Sequence, residues 1–463
     1  MSQRKMECPG LEVSDQPNPK CTMACIKKLK IIFNEGGDMK RFKMMSCLAA
    51  LIAALFLWGE NAGAKDIVIG FSGPLSGPAA EYGMNCVNGM DMAVKQVNKN
   101  GGIKIKGETY NLRLEKLDDQ IDPTRAVNNA RRFKEQHNAI AVFQPITALA
   151  YAMMNINREK GHEFIMMAYT SSPALPKQGN ELTITIPPTF SIYAEIEAKW
   201  AYSKGYRRAG IVVTNEVYGV EWTDFFSKYF KKLGGTITAV KPANMYTETD
   251  FSSQLTAVLA TKPDVMLIGG PSATSALMVE QARNLGYKGG FCFIDQAQID
   301  QMAALLKGYS LMYNSIAVGT VQDLPSACTK WFEKTFKENY KGMYTWEVAL
   351  HYGAVLAIAR AVQAAGSTDV LAIRKAFPKA YPLLGDEVPA QVHGLTSDGR
   401  QKMMCSTQEI TKDGKLERPV LQIWWTKTQK EFDAVEKLAL SPKSMGDNPR
   451  VKTVWMKAED YRE

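Results

Sequence analysis

The chain has 463 residues, of which 46% are hydrophobic and 22% charged, and its formal net charge is +9. One hydrophobic core stops growing near about 250–300 residues, so the length predicts more than one core unit, and the composition excludes an intrinsically disordered chain. The basic excess is small and is not gathered into Lys/Arg blocks, and none of the four histidines has the spacing of a metal motif. Neither nucleic-acid binding nor a histidine-built metal site is therefore expected.

Residues 39–64 have the pattern of an export signal. A basic stretch at 40–43 precedes an uncharged apolar run from Leu48 to Trp58, and Ala62-Gly63-Ala64 supplies the small residues that a signal peptidase requires. The apolar run is too short to span a bilayer, which takes roughly 20 residues. We therefore expect residues 39–64 to be a signal peptide and the protein to be exported to the periplasm.

Residues 1–38 stand before this segment, although Met39 is itself a natural start. We expect residues 1–38 to be a non-native or disordered extension and the exported chain to begin near Lys65. The Cys21 and Cys25 pair in the extension is interpreted as incidental rather than as a metal or redox motif.

Four cysteines lie in the exported part of the chain: Cys86, Cys292, Cys328 and Cys405. An oxidising compartment permits disulfides. Because the four are isolated and far apart in sequence, three pairings are open if all are bridged. Cys328 with Cys405 is one candidate pair, and the sequence does not decide among them.

The exported chain opens with alternating strand and helix patterns. Ile67 to Phe71 is a continuous apolar run of the kind that a buried parallel strand has. Asp122-Pro123 supplies an N-cap acid followed by proline at the first helical position. The first series predicts strands at 67–71, 112–117, 139–143 and 164–168, and helices at 80–98, 123–136 and 147–160.

The pattern restarts after Pro187-Pro188. The second series predicts helices at 191–204, 219–233, 251–260 and 273–285, alternating with strands at 209–213, 236–240 and 265–268. Later helices are expected at 326–339, 345–365 and 367–377, and antiparallel strands at 405–410 and 420–426. Repeated β-α units predict parallel sheets with helices on both faces. The chain is thus assigned to the α/β class, with two doubly wound parallel-sheet lobes.

Ligands of open α/β sheets bind outside the carboxyl ends of the strands. The loops at those ends are rich in Ser, Thr, Gly and Tyr and lack a nucleophile beside a recognisable base: 72–82, 118–122, 144–149, 168–173, 214–222 and 269–275. The segment from Gly70 to Gly77 lacks the Lys of a P-loop, and it matches neither GxGxxG nor GxSxG. These patterns predict neither an enzyme nor a bound cofactor.

Residues Asp66 to Gly83 (DIVIGFSGPLSGPAAEYG) resemble the opening of the leucine/isoleucine/valine-binding family of periplasmic binding proteins, the solute receptors of ABC importers. The resemblance covers nearly all of 66–426, and it is specific through the order and spacing of its segments. Those segments are Asn88-Gly89, Asn98-x-x-Gly-Gly102, Asp118-Asp119 with Asp122-Pro123, Ser171-Ser-Pro173 and Tyr218-Gly219.

The resemblance implies a type I periplasmic-binding-protein fold, in which two lobes are joined by three hinge crossovers and the ligand lies in the cleft. Crossovers are expected near 186–188, 315–318 and 389–396. The first lobe is expected to comprise 65–186 plus 318–390, and the second lobe 188–315 plus 391–463.

The same resemblance implies a set of ligand-binding residues. In the family, the first lobe holds the ligand carboxylate through a Ser or Thr at a helix start and through the loop after the fourth strand. Helix N-terminal N–H groups favour an anion at the first of these positions. Thr147 lies at that helix start, and Tyr169, Thr170 and Ser171 lie in that loop. A plain N-cap residue is the alternative interpretation of Thr147.

Aromatic residues are expected to form the walls around the rest of the ligand. Tyr82 matches a family aromatic that lies against the ligand side chain, and a surface tyrosine is the alternative interpretation. Tyr218 matches a contact position in the second lobe. Phe190 and Trp222 are further candidates there.

One departure from the family pattern bears on the ligand. Amino-acid receptors of this family carry an acid in the loop after Gly269-Gly270, where it pairs with the ligand ammonium, but this loop has no acid before Glu280. An unpaired buried ammonium costs several kcal/mol. Either another acid, such as Glu216 or Asp295, serves, or the ligand has no ammonium. The favoured ligand is a carboxylate or amide with an apolar or aromatic body, and an amino acid is the alternative.

The family disulfide is also missing, because Gln120-Ile121 occupies the place of its cysteine.

We interpret the chain as the extracytoplasmic solute-binding component of an ABC importer. It is expected to act as a monomer, to close on a small carboxylate-bearing ligand by hinge motion, and to deliver it to a permease in the inner membrane. The alternatives are a branched-chain amino-acid-binding protein of the same transporter family and a ligand-sensing regulator with the same fold. An enzyme would need a nucleophile–base pair in the cleft, where His393, near the third crossover, is the histidine to consider. No nucleic-acid partner, metal or cofactor is expected.

Overall fold

The computed structural model describes residues 65–77 and 79–456. The predicted signal peptide at 39–64 and the predicted extension at 1–38 lie outside the described residues. Within the described part, the chain has the α/β architecture that the sequence predicts, with two large sheets, one small sheet and helices that pack against them.

Six strands form the first large sheet and eight form the second. The strands of the first sheet are β1 (Lys65–Gly73), β2 (Ile103–Ile105), β3 (Glu108–Asp118), β4 (Ala141–Gln144), β5 (Ile165–Ala168) and β6 (Thr183–Thr185). Those of the second are β7 (Arg208–Val213), β8 (Thr236–Val240), β9 (Val265–Gly269), β10 (Gly290–Phe293), β11 (Ser315–Val318), β14 (Cys405–Ile410), β15 (Val420–Ile423) and β16 (Lys452–Trp455). The small sheet pairs β12 (Val392–Leu395) with β13 (Gln401–Met403).

The helices follow the strands in an alternating order over most of the chain. They are α1 (Ala80–Lys99), α2 (Pro123–His137), α3 (Thr147–Ile156), α4 (Phe190–Ser203), α5 (Val217–Lys232), α6 (Ser252–Leu259), α7 (Ser272–Asn284), α8 (Ile299–Leu306), α9 (Thr329–Asn339), α10 (Trp346–Ala365), α11 (Val370–Ala376), α12 (Gln429–Ala439) and α13 (Pro442–Met445). The predicted cap of α2 is confirmed, because the Asp122 side chain accepts a hydrogen bond of 2.8 Å from the Arg125 N–H.

The first sheet has the order β2-β3-β1-β4-β5-β6 and is parallel except for the β2–β3 pair. Its central strand is β1, whose apolar run from Ile67 to Phe71 is buried throughout, as predicted for a parallel strand covered on both faces. The strand order reverses about β1, since the chain visits β3 on one side and β4 on the other. A crevice therefore opens outside the carboxyl ends of these strands.

The second sheet has the order β16-β15-β14-β11-β10-β9-β7-β8. Strands β7 to β11 are parallel, whereas β14 pairs antiparallel with both β11 and β15. The predicted antiparallel pair at 405–410 and 420–426 is present, although β15 ends at Ile423. Strands β10, β11 and β16 were not predicted, because their four-residue runs are too short to carry a clear period.

The helix α3 is shorter than predicted, since it ends at Ile156 instead of near Lys160. The buried side chain of Asn157 donates a hydrogen bond of 3.1 Å to the Phe164 carbonyl and accepts one of 2.8 Å from Asn180. These bonds turn the chain towards β5 at the point where the helix would otherwise continue.

The segment expected to form the third crossover lies beside the first sheet. Leu383 pairs with Val392, and Arg400 forms a bridge with Thr185 of β6. The chain then enters the second sheet at Cys405. The lobe boundaries drawn from the resemblance, 65–186 with 318–390 and 188–315 with 391–463, stay a prediction.

Within the described residues, α10 is the one helix with the length and hydropathy of a membrane-spanning segment. Of its apolar window, 72% is buried in the protein, so its composition is that of a core helix. It packs against α1, where Gly89 faces the backbone of Val348: a Cβ atom at Gly89 would lie 2.3 Å from the Val348 carbonyl oxygen.

We expect the substitution Gly89→Ala to destabilise the protein by about 1–3 kcal/mol or more, because neither helix backbone can withdraw without repacking the core. Gly353→Ala, on α10, is the matched control, since its Cβ would lie 3.6 Å from the nearest atom, a Val388 side-chain carbon. The control should be neutral or stabilising by about 0.5–1 kcal/mol, the helix-propensity gain. Urea unfolding of both variants measures the difference, and equal effects would contradict the close approach.

Candidate functional site

A cavity lies between the two sheets, at the carboxyl ends of strands from both. It encloses about 400 Å³ of empty space, part of it open to solvent. Its walls come from the first turns of α1, α3 and α10 and from the loops after β4, β5, β7, β8 and β10. The lining residues are Tyr82, Pro145, Thr147, Tyr169, Thr170, Ser171, Pro187, Glu216, Tyr218, Tyr246, Asp295, Gln296 and Glu347.

A pair of hydroxyl groups forms one part of the wall on the side of the first sheet. The side-chain oxygens of Thr147, the first residue of α3, and Thr170, in the loop after β5, are 2.7 Å apart, and both residues are buried. The backbone N–H groups of the first turn of α3 have no partner within the helix. This wall therefore presents hydrogen-bond donors, which suit an anion.

The loop that carries Thr147 is held by a buried polar network beneath it. Gln144 accepts a hydrogen bond of 2.9 Å from the Ile146 N–H and donates one of 2.9 Å to the Asp119 carboxylate, which also accepts from Ser72. Burial raises the pKa of Asp119, and these hydrogen bonds oppose that rise. The network fixes the position at which α3 begins.

The loop at 169–172 is held from below by Arg400, which is fully buried. Its guanidinium donates hydrogen bonds to the backbone carbonyls of Thr170 (3.3 Å), Pro187 (2.8 Å) and Ser172. This residue was not predicted, because an arginine next to a glycine in a loop has no local sequence pattern that indicates burial.

Asp295 lies on the opposite wall, after β10. It accepts hydrogen bonds from the Tyr218 hydroxyl and from the Trp222 indole, the latter at 3.0 Å. Burial raises the pKa of Asp295, while these two donors and the nearby Ser171 side chain favour its charged form. Since Ser171 follows β5 of the first sheet and Asp295 follows β10 of the second, the two walls approach each other at this carboxylate.

Glu216 and Tyr246 lie at the mouth of the cavity. The Tyr246 hydroxyl donates to the Glu216 carboxylate at 3.0 Å, and the Gln296 amide donates to the same hydroxyl at 3.2 Å. Burial raises the pKa of Glu216. Both residues also line a second, wider pocket of about 1260 Å³.

Glu347, the second residue of α10, forms part of the wall contributed by that helix, and its side chain is only 2% exposed. Gln298 donates a hydrogen bond of 2.6 Å to its Oε1 atom and accepts one of 3.1 Å from the Trp346 N–H. Burial raises the pKa of Glu347. The sequence analysis missed it, although an acid at the start of an otherwise apolar helix is a signal that could have indicated it.

Six of the eight predicted site residues line the cavity: Tyr82, Thr147, Tyr169, Thr170, Ser171 and Tyr218. Phe190 and Trp222 lie behind this wall, where their rings stack at 5.1 Å and Phe190 meets Tyr218 edge-on at 5.7 Å. They support the wall and do not form it. Contact of any of the eight with a ligand stays a prediction.

The three tyrosines expected to form the aromatic walls, Tyr82, Tyr169 and Tyr218, line the cavity. The Tyr82 and Tyr169 rings lie 6.3 Å apart, and Tyr169 packs at 4.7 Å on the buried ring of His351. None of the lining residues is a lysine, arginine, histidine or cysteine. The cavity thus offers hydroxyl and backbone donors on one wall and carboxylates on the others, an arrangement that suits a ligand with both an anionic and a cationic group.

His393 stacks on Trp425 at 5.6 Å and does not line the cavity.

The four cysteines of the described residues are buried free thiols, so neither the candidate pair Cys328–Cys405 nor another pairing is formed.

Comparisons with known proteins agree with this architecture. The family described as periplasmic binding protein matches residues 66–415. The Leu/Ile/Val-binding protein BraC3 of Rhizobium johnstonii is 29% identical over 243 residues, which is 52% of this chain and 64% of that relative. The Leu/Ile/Val-binding protein homolog 1 of Brucella abortus is 25% identical over 72% of this chain and 89% of its own length.

Solved structures share the fold. The branched-chain amino acid transporter substrate-binding protein LivJ of Streptococcus pneumoniae, in complex with isoleucine, has a TM-score of 0.66 at 20% identity, covering 77% of this chain and 99% of that one. An ABC-transporter solute-binding protein from R. palustris, in complex with benzoate, has a TM-score of 0.64 at 17% identity, covering 77% and 95%.

We expect Arg400→Met to lower the free energy of unfolding by at least about 3 kcal/mol, because it leaves three buried carbonyls without a charged donor. Arg131→Met is the matched control. Arg131 forms an ion pair with Glu159 at 2.7 Å, and its loss should lower stability much less, because solvent screens an exposed pair. Urea unfolding at pH 7 compares them, and similar losses would show that Arg400 does not organise the loop.

Proposed function

Because the chain belongs to the periplasmic binding protein family and is a solute-binding protein of the ABC-transporter type, we propose that its cavity captures a small α-amino acid for import. The observation that carries this proposal is the division of the cavity walls. Hydroxyl groups and the start of a helix lie on one wall, and Asp295, Glu216 and Glu347 lie on the others, with no cationic side chain between them.

The ligand carboxylate is proposed to bind at Thr147, Thr170 and Ser171. The two threonine hydroxyls, 2.7 Å apart, and the unpaired N–H groups at the start of α3 can converge on one anion. Hydrogen bonds to a charged group each contribute about 1.5–3 kcal/mol. This wall can therefore balance the cost of taking the carboxylate out of water.

The ligand ammonium is proposed to bind at Asp295. The sequence left open whether another acid replaces the one missing after Gly269-Gly270, and both acids named for that role, Glu216 and Asp295, line the cavity. This supports the amino-acid alternative over a carboxylate without an ammonium. Asp295 suits the role because donors from Tyr218 and Trp222 favour its charged form.

Tyr82, Tyr169 and Tyr218 are proposed to enclose the apolar part of the ligand. Ser172, after β5, donates a hydrogen bond of 2.5 Å to Glu221 of α5, and Ser171 lies close to Asp295. Such contacts join the walls in the closed state, and their separation would open the cleft by hinge motion. Delivery of the ligand to a membrane permease is the corresponding step outside this chain, and the family implies an extracytoplasmic location.

A carboxylate without an ammonium is the second candidate ligand. The loop after β9 lacks the family acid, and a protein of similar fold binds benzoate. Burial raises the pKa of Asp295, Glu216 and Glu347, which favours neutral carboxyls when no cation is bound.

A thermal-shift screen of the purified protein tests the two candidates. It compares leucine, isoleucine, valine and phenylalanine with benzoate, branched short-chain acids and small amides. A ligand at a thousand times its Kd adds roughly 4 kcal/mol of stability, which gives a clear rise in melting temperature. Shifts with amino acids support the proposal, and shifts only with acids that lack an amino group would replace it by the second candidate.

We expect Thr147→Val to weaken binding of the amino acid found in that screen about tenfold or more, because it removes a hydroxyl from the carboxylate subsite without changing the side-chain shape. Thr238→Val is the matched control, since Thr238 forms a similar hydroxyl pair with Thr261 at 2.7 Å, away from the cavity. Titration calorimetry measures both. An unchanged affinity for Thr147→Val, or an equal loss in the control, would argue against this subsite.

A further inference from the structure

The cavity has more carboxylates than one ammonium group requires. Asp295, Glu216 and Glu347 all line it, and none of the other lining residues carries a positive charge. Among the described residues no group of acids, histidines or cysteines could hold a metal ion, so the three carboxylates do not converge on one cation. We propose that the ligand carries a second positively charged nitrogen, as a diamino acid does, and that Glu347 binds it. This inference rests on the proposed function and names its substrate class.

The three carboxylates differ in the donors that they already have. Asp295 has the Tyr218 and Trp222 donors, and Glu216 has the Tyr246 hydroxyl. Glu347 has only the Gln298 amide, which bonds to Oε1, while its Oε2 atom is buried without a hydrogen-bond partner. The Thr345 hydroxyl lies close enough to favour the charged form of the carboxyl but makes no hydrogen bond to it. A buried carboxylate oxygen without a donor is costly, and a ligand N–H group would supply the donor.

The orientation of Glu347 is fixed from behind. Gln298 bonds both to Oε1 of Glu347 and to the Trp346 N–H at the start of α10, and these bonds hold the carboxyl group of a residue that lines the cavity. Positioning of this kind is typical of a recognition site, because little side-chain freedom is lost when the ligand binds.

Glu347 and Asp295 are placed to recognise two different nitrogens. Asp295 belongs to the second lobe and contacts Ser171, beside the proposed carboxylate subsite, as an α-ammonium partner should. Glu347 belongs to α10 and lies near Tyr82 and Tyr169, the residues proposed to enclose the ligand side chain. The second nitrogen would thus be at the end of that side chain.

Pairs of amino acids with the same shape provide the first test. In each pair the diamino acid has an ammonium where its partner has a methyl group: 2,4-diaminobutyrate with norvaline, and ornithine with norleucine. Titration calorimetry at pH 7 should show tighter binding, by tenfold or more, for the diamino member of at least one pair. Tighter binding of the methyl members would overturn the inference and leave the proposed function intact, whereas binding of neither series would overturn both.

The variant Glu347→Gln provides the second test. It should weaken binding of the preferred diamino acid about ten- to hundredfold and leave its methyl partner within about threefold. An equal loss for both members would mean that Glu347 shares the α-ammonium, and this would overturn the inference. Lysine and citrulline are added to the same titrations. Lysine has a charged nitrogen at the end of its side chain, whereas citrulline has N–H donors there but no charge. Binding of citrulline as tight as that of ornithine would show that an N–H donor suffices, and this would also overturn the inference.

Glu197→Gln is the matched control for this variant. Glu197, on α4, is likewise fully buried, and both of its carboxylate oxygens lack hydrogen-bond partners, but it does not line the cavity. Removal of this carboxyl group should change stability without changing the preference between the members of a pair. Since the first test uses the unaltered protein, the inference stays testable even if either variant fails to fold.

Discussion

Arg400 is the residue on which the geometry of the cleft depends, because it joins the places where the lobes meet. From one buried guanidinium it bonds to the loop after β5, at Thr170 and Ser172, and to Pro187 at the first crossing between the lobes. Its own backbone pairs with Thr185 at the end of β6. Backbone carbonyls in a loop that turns away from its sheet need donors, and here one side chain supplies them. The hydroxyl wall of the cavity is therefore fixed relative to the hinge.

Within this frame, the buried charges on the other walls are each held by a different set of donors. Asp295 is surrounded by hydroxyl and indole donors, Glu216 accepts from Tyr246, and Glu347 accepts from Gln298. A carboxylate that leaves water costs several kcal/mol unless such donors or an opposite charge replace its hydration. Glu347 differs from the other two, because its Oε2 atom is buried without a hydrogen-bond partner.

The sequence predicted the parts of this structure that depend on local patterns. The apolar run of β1, the capped start of α2 and the restart after Pro187 are periodic or capping signals, and the predicted elements follow them closely. The loop residues Thr147 and Tyr169 were placed by resemblance to a family. Arg400, Glu347 and Gln298 were not predicted, because their roles come from contacts between segments far apart in the chain. No local period records such contacts, and short strands such as β10 also have too few residues for one.

The groups proposed to recognise the ligand lie where segments of the two sheets approach each other. Ser171, after β5 of the first sheet, lies close to Asp295, after β10 of the second, and Gln298 bonds to Glu347 of α10. In the proposed mode of binding, closure of the cleft without a cation would bring carboxylates together in a medium of low dielectric constant, which raises their energy. A bound cation would remove this repulsion and supply the missing donor at the same time. The free energy of ligand binding and that of cleft closure would then depend on the same contacts, so a ligand of the wrong charge would lose affinity mainly because it fails to favour the closed state.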